Sequence, residues 1–112
     1  MAIFRRALLA SVLLAGAAGP AAWAGDAPAS AQVSIDNFTF APAVLTIAPG
    51  TKVTWTNHDD IPHTVTSSQE PAHMRSPVLD TDETYSLTFD KPGTYAFFCS
   101  LHPHMQSQVV VR

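Results

Sequence analysis

The chain contains 112 residues, 46% of them hydrophobic, with nine acidic and six basic residues and a formal net charge of −3 at pH 7. A chain of this length builds one small domain. Its acidic balance excludes binding to nucleic-acid phosphates, because proteins that bind them concentrate Lys and Arg to displace counterions.

The first 24 residues differ in character from the rest of the chain. Arg5 and Arg6 precede an apolar run over residues 7–15, and Ala22-Trp23-Ala24 is a small-x-small cleavage pattern. This order is typical of a secretory signal peptide, and the apolar run is shorter than the roughly 20 residues of a membrane helix. The alternative is a retained N-terminal anchor. We therefore expect residues 1–24 to be cleaved after Ala24 during export to the periplasm.

The mature chain of 88 residues carries nine acidic residues against four basic ones. Residues 25–31 are small and polar and predict a flexible leader, and residues 32–112 predict a single domain. Cys99 is the only cysteine in the sequence, so the chain contains no internal disulfide. Small exported domains usually depend on disulfides, and an unpaired thiol in an oxidising compartment needs burial, a metal or a partner chain. We therefore expect the domain to be stabilised by a cross-link other than a disulfide.

Apolar residues alternate with polar ones from residue 33 onward, which predicts strands rather than helices. Pro-Gly turns at residues 49–50 and 92–93 separate strands, scattered prolines leave few uninterrupted windows, and no window of ten or more residues shows a helical apolar stripe. We expect an all-β, Greek-key, two-sheet sandwich of seven or eight strands, with residues 67–82 as an irregular surface connection. The predicted strands contain Val33 and Ile35, Phe38 and Phe40, Val44–Ile47, Val53 and Trp55, Val65, Tyr85–Phe89, Thr94–Cys99, and Gln108–Val111.

Two further sets of side chains are assigned from composition. Large aromatic residues within the strands are expected in the core: Phe38, Phe40, Trp55, Phe89, Tyr95 and Phe97. Acidic residues outside the apolar runs are expected on the solvated surface, and the alternative is that they steer a basic partner: Asp59, Asp60, Asp80, Asp82 and Glu83.

Three metal-binding side chains follow one another at intervals of three residues. Cys99 ends a predicted strand, and His102 and Met105 follow it. We expect Pro103 to end this strand, so that a turn can bring His102 and Met105 back toward the sulfur. His63, which begins another apolar strand, supplies a second imidazole.

A cysteine thiolate, two imidazoles and a weak axial methionine form the ligand set of a blue-copper electron-transfer site. Zinc would be satisfied by the thiolate and the imidazoles with water or a carboxylate, which would leave Met105 without a role. His58, His73 and His104 are expected in solvent. The alternatives are that His73-Met74 forms a weak second copper site or helps to load the metal, and that His104 replaces His102 or Met105 as a ligand.

From about residue 32 to residue 111 the chain resembles the cupredoxins, or blue copper proteins, and most closely the amicyanin group of that family. The resemblance is carried by Val53-Thr54-Trp55, Asn57, Pro62-His63, the Pro-Gly turn before Tyr95, and Cys99-x-x-His102-Pro103-x-Met105. It implies one type 1 copper bound by His63, Cys99, His102 and Met105, with His63 buried and an edge of His102 in solvent. Thr64 stands where many members have asparagine, and His104 stands where amicyanins have an aromatic residue.

The sequence thus predicts a periplasmic one-electron carrier that cycles between Cu(I) and Cu(II), not an enzyme. The resemblance implies a periplasmic dehydrogenase as donor and a c-type cytochrome as acceptor, which dock transiently on a monomer near His102, Pro62 and Pro103. A relative of multicopper oxidases or copper nitrite reductases is disfavoured, because Phe98 and Ser100 flank Cys99 where those enzymes have a histidine. A copper carrier or storage protein for periplasmic copper handling is the remaining alternative.

Overall fold

The structure is a computed structural model that describes residues 29–67 and 74–112. The predicted signal peptide and His73 lie outside these residues. None of the described residues forms a helix long and apolar enough to cross a bilayer. The described residues form these strands: β1 Ser30–Asp36, β2 Thr39–Ala41, β3 Val44–Ile47, β4 Thr51–Asn57, β5 Thr66–Ser67, β6 Met74–Arg75, β7 Thr84–Phe89, β8 Gly93–Cys99 and β9 His102–Val111.

The strands form two sheets, ordered β2-β1-β4-β7 and β3-β9-β8-β5-β6. The β1–β4 and β3–β9 pairs are parallel, and the other pairs are antiparallel. The predicted all-β two-sheet sandwich is confirmed. Strand β1 begins at Ser30, so the last two residues of the predicted leader, Ser30 and Ala31, pair with β4.

The core lies between the inner faces of the two sheets, where β4 and β8 bury every second residue. Trp55 on β4 is fully buried, and its ring centroid lies 5.3 Å from that of Phe97 on β8. Alternation also directs Cys99 inward at the end of β8 with no exposed surface. The strand period therefore brings the thiol into one end of the apolar core.

The core prediction is correct for the aromatic residues except Phe38, which is 43% exposed. Asn37 and Phe38 form the two-residue turn between β1 and β2, with φ angles of 52° and 57°. Two positive φ angles in a two-residue hairpin match the right-handed twist of the flanking strands. The turn interrupts the alternation on which the prediction depended, and it leaves Phe38 at the surface.

The expected end of a strand at Pro103 is wrong, because β9 already begins at His102. The β8–β9 pairing shifts register there: Phe98 pairs with Gln106, whereas Cys99 pairs with His102. The extra residues of β9 form a bulge, which tolerates proline because the missing N–H is not needed for the ladder. This bulge holds His102 and buried Met105 at the same end of the sandwich as Cys99.

The connection predicted to lie on the surface over residues 67–82 is more structured than expected in its described part. It contains β6, which pairs with β5, and a bridge in which Leu79 pairs with His63. Leu79 is 3% exposed and belongs to the core. The bridge matters for function because it fixes the backbone of a candidate metal ligand.

Candidate metal centre

Three predicted ligands meet at one end of the sandwich. The sulfur of Cys99 lies 3.7 Å from Nδ1 of His63 and 3.6 Å from Nδ1 of His102. The three donor atoms all lie within 4.8 Å of one another. Cys99 and His63 are fully buried, and His102 is half-buried. The expectations of a buried His63 and a more exposed His102 are therefore confirmed.

These distances fit a shared metal ion. With bonds of about 2.0 Å to nitrogen and 2.3 Å to sulfur and an angle of 110–120° between them, the two donor atoms are about 3.5–3.7 Å apart. One S–H group could donate to only one of the two imidazoles, whereas one ion satisfies both. Met105 is 3% exposed and lies in the same buried cluster as Cys99. A thioether beside this donor set favours copper over zinc.

The loop that carries His63 is organised by Asn57, the last residue of β4. Its buried side-chain amide donates hydrogen bonds to the carbonyl oxygens of Ile61 (2.9 Å) and Leu79 (2.8 Å) and accepts one from the N–H of Asp59 (2.9 Å). His63 also exchanges both backbone hydrogen bonds with Leu79. The imidazole of His63 is therefore carried by a residue whose backbone N–H and C=O are both hydrogen-bonded.

Thr64 joins this loop to the end of β8. Its backbone N–H donates to the sulfur of Cys99 at 3.3 Å. Its hydroxyl oxygen accepts the N–H of Ser100 at 2.8 Å and contacts the hydroxyls of Ser100 (2.8 Å) and Thr66 (3.0 Å). Where many cupredoxins use asparagine, this chain therefore links the two ligand-bearing segments through a threonine hydroxyl.

Asp59 was predicted to be solvated, which is wrong, because it is only 9% exposed. Its carboxylate accepts the Nε2–H of His63 at 2.6 Å and the backbone N–H groups of Asn37 (2.7 Å) and Phe38 (3.0 Å). Burial raises the pKa of Asp59, but the hydrogen bonds from Phe38, His63 and Asn37 outweigh it and lower the pKa to about 2. The group is therefore an anion at neutral pH.

The position of Asp59 in the sequence could have indicated its role. A metal-bound histidine commonly donates its second ring N–H to a carboxylate or carbonyl, and Asp59 lies four residues before His63. The other four acidic residues that were assigned to the surface are exposed as expected: Asp60, Asp80, Asp82 and Glu83. His58 and His104 are also exposed, and Met74 is half-buried in β6.

Comparison with known proteins agrees with this geometry. Residues 6–111 match the family model of the cupredoxin-like domain. The chain is 39% identical to amicyanin-alpha of Methylorubrum extorquens, over 96% of this chain and 95% of that protein. It is 36% identical to the chloroplastic plastocyanin of Tetradesmus obliquus, over 56% of this chain and 50% of that one.

Solved amicyanin structures are also similar to this chain. A reduced amicyanin variant superposes with a TM-score of 0.71 at 32% sequence identity, over 74% of this chain and 82% of that one. The chain belongs to the cupredoxin-like family. Within that family it is similar to the amicyanins over nearly its whole length, and its cofactor is one copper ion, which the donor set fits.

The hydrogen bonds of the Thr64 hydroxyl should stabilise the folded protein. Thr64→Val keeps the side-chain shape but leaves the partly buried N–H of Ser100 without its acceptor. We expect the free energy of unfolding of the metal-free protein, measured by urea denaturation, to fall by about 1–3 kcal/mol. Thr64→Ser keeps the hydroxyl and should lose clearly less. Equal losses in the two variants would show that the hydroxyl does not join the two segments.

Proposed function

We propose that this protein is a periplasmic one-electron carrier in which His63, Cys99, His102 and Met105 bind one type 1 copper ion. It accepts an electron from a dehydrogenase-type donor and passes it to a c-type cytochrome-like acceptor. The observation that carries the proposal is the position of the Cys99 sulfur, 3.7 and 3.6 Å from the two imidazole nitrogens. When bound, the copper supplies the Cu(I)/Cu(II) couple.

The side chains of the site are suited to electron transfer because they are held in place before the metal changes its charge. Three of the four proposed ligands are buried: His63, Cys99 and Met105. The N–H of Thr64 points at the sulfur and stabilises its thiolate form. A site built on strands and on a bonded loop keeps its geometry better than a free loop. Buried ligands also favour a resident ion over the easily exchanged one of a copper carrier or storage protein.

His102 is the proposed point at which electrons enter and leave. It follows a two-residue turn at the end of the sandwich and is half-buried. Phe38, which contacts the His102 ring, is exposed, and so are Leu101 and Pro103, which flank His102 in sequence. Pro62, which precedes His63, is also exposed. A small apolar surface of this kind suits redox partners, which form small interfaces and separate quickly. The similarity to amicyanin and plastocyanin supports the assignment as an electron carrier.

The residues next to Cys99 argue against an enzyme. Phe98 and Ser100 flank the cysteine, so no histidine adjoins it to carry electrons to a second, catalytic copper. Within the described residues, the one group of histidine, cysteine and acidic side chains that could hold a metal is that of His63, Cys99 and His102.

Copper reconstitution tests the proposal directly. The mature protein loaded with Cu(II) should become intensely blue, because a thiolate ligand gives strong charge-transfer absorption, and Cys99→Ser should abolish the colour. Visible absorption and electron paramagnetic resonance measure both. His63→Ala should weaken copper binding far more than His58→Ala, since His58 is exposed. A colourless wild-type protein that binds copper would overturn the electron-carrier assignment.

The axial position is tested by the reduction potential. Met105→Gln replaces a soft thioether with a harder amide oxygen, which favours Cu(II). The blue colour should persist while the potential measured by voltammetry falls. Met74→Gln, at a half-buried methionine on β6, serves as the control and should leave the potential unchanged. A Met105→Gln potential equal to that of wild type would remove Met105 from the ligand set.

Docking at His102 is tested by electron-exchange kinetics. Leu101 is 47% exposed in the turn between the two ligands Cys99 and His102. Leu101→Ser should slow the second-order electron exchange with a bacterial c-type cytochrome by up to roughly tenfold, because tenfold corresponds to about 1.4 kcal/mol of lost apolar contact. Val78→Ser, at a residue that is 51% exposed, is the matched control. Equal slowing in both variants would place the docking surface elsewhere.

A further inference from the structure

Asp59 joins two parts of the molecule that are more than 20 residues apart in sequence. Its Oδ2 accepts the Nε2–H of His63 at 2.6 Å and the N–H of Phe38 at 3.0 Å, and its Oδ1 accepts the N–H of Asn37 at 2.7 Å. All three N–H groups therefore donate to the same carboxylate, which is largely buried. Hydrogen bonds to an ionised acceptor are about twice as strong as neutral ones.

The first consequence concerns the imidazole of His63. An ionised carboxylate only accepts hydrogen bonds, so Nε2 must carry the ring proton. In the neutral imidazole this leaves a lone pair on Nδ1, the nitrogen that faces the sulfur of Cys99 at 3.7 Å. Asp59 thus selects the tautomer that can bind a metal at Nδ1 and fixes the plane of the ring.

The second consequence concerns the turn at Asn37 and Phe38. Positive φ angles of 52° and 57° are unfavourable for residues with side chains, above all for an aromatic one. Both backbone N–H groups of this turn donate to Asp59, which offsets the strain. The turn places the ring of Phe38 edge-to-face with both imidazoles, at 5.6 Å from the ring centroid of His63 and 5.0 Å from that of His102.

We propose that Asp59 is a positioning residue of the metal centre, which sets the tautomer and orientation of His63 and, through the Asn37–Phe38 turn, holds Phe38 against both histidines. The inference rests on the proposed function in that His63 is taken as a metal ligand. The negative charge also favours the more highly charged Cu(II) state. Asp59 therefore lowers the reduction potential as well as holding the ring.

The test compares two adjacent aspartates that differ in their surroundings. Asp59→Asn and Asp60→Asn remove the same charge, but Asp60 is exposed. In Asp59→Asn a side-chain NH₂ group replaces one of the two carboxylate oxygens. Because both oxygens accept N–H groups, the new NH₂ group faces another donor and loses that hydrogen bond. We expect the copper affinity to fall by about 10–100-fold and the reduction potential to rise in Asp59→Asn, with much smaller changes in Asp60→Asn. Equal changes in the two variants would show that Asp59 acts only through its charge and not through its hydrogen bonds, which would overturn the proposal.

A second readout does not need copper. In nitrogen-15 NMR spectra of the metal-free mature protein, His63 should be the Nε2–H tautomer, with an Nε2–H that exchanges slowly with water in wild type and Asp60→Asn. In Asp59→Asn this exchange should accelerate, and the contacts of the Phe38 ring with His102 should weaken. An unchanged exchange rate in Asp59→Asn would contradict the positioning role. If wild type formed no blue site while this NMR difference persisted, the proposed function would fail and the link from Asp59 to His63 would remain.

Asp59→Glu is the substitute if Asp59→Asn does not fold. It keeps the charge but moves the oxygens by one methylene group. Because positioning needs the oxygens in place, Asp59→Glu should still bind copper more weakly than wild type and exchange the His63 ring proton faster. Wild-type affinity and exchange in this variant would mean that charge alone suffices, which would overturn the proposal.

Discussion

The structure at this end of the sandwich depends on how a buried sulfur is satisfied. Cys99 has no exposed surface, and an ionised thiolate at such a place needs donors or a cation around it. The protein supplies one N–H, from Thr64 at 3.3 Å, and two imidazole nitrogens at 3.6 and 3.7 Å. With no disulfide available to a chain with one cysteine, the proposed metal ion would take over the linking role, because its ligands lie on β8, on β9 and in the loop before β5.

The two imidazoles reach the sulfur by different routes, and this explains how much the sequence could predict. His102 pairs with Cys99 across a two-residue turn, so three-residue spacing alone was enough to place the pair together. His63 lies 36 residues away and meets Cys99 because β5, the strand that follows its loop, pairs with β8 in the same sheet. The sequence identified it by its chemistry and by resemblance to the cupredoxins, since periodicity carries no information on such contacts.

The predictions that failed were made from residue type or local pattern alone. Phe38 was assigned as an aromatic residue of an alternating strand and Asp59 as a carboxylate outside the apolar runs, and such rules place aromatic residues inside and carboxylates outside. The structure reverses both, because Asp59 finds three hydrogen-bond donors in the interior and the positive φ angles of the turn direct Phe38 outward. Pro103 was expected to end a strand, but the register shift beside Phe98 accommodates it in β9. Local patterns predict elements well, whereas polar contacts between distant segments decide which side chains are buried.

The two proposed histidine ligands are held with unequal firmness, and the difference suits an electron carrier. His63 is fully buried, exchanges both backbone hydrogen bonds with Leu79 and donates from its ring to Asp59. His102 is half-buried beside exposed Leu101 and meets the ring of Phe38. The bonds that support the buried histidine do not involve the metal, so they hold its ring in place independently of the charge of the proposed copper ion. The half-buried histidine lies at the surface where we propose that a partner docks. Exposed Phe38 contacts both rings, so this surface is in direct contact with the buried ligand as well.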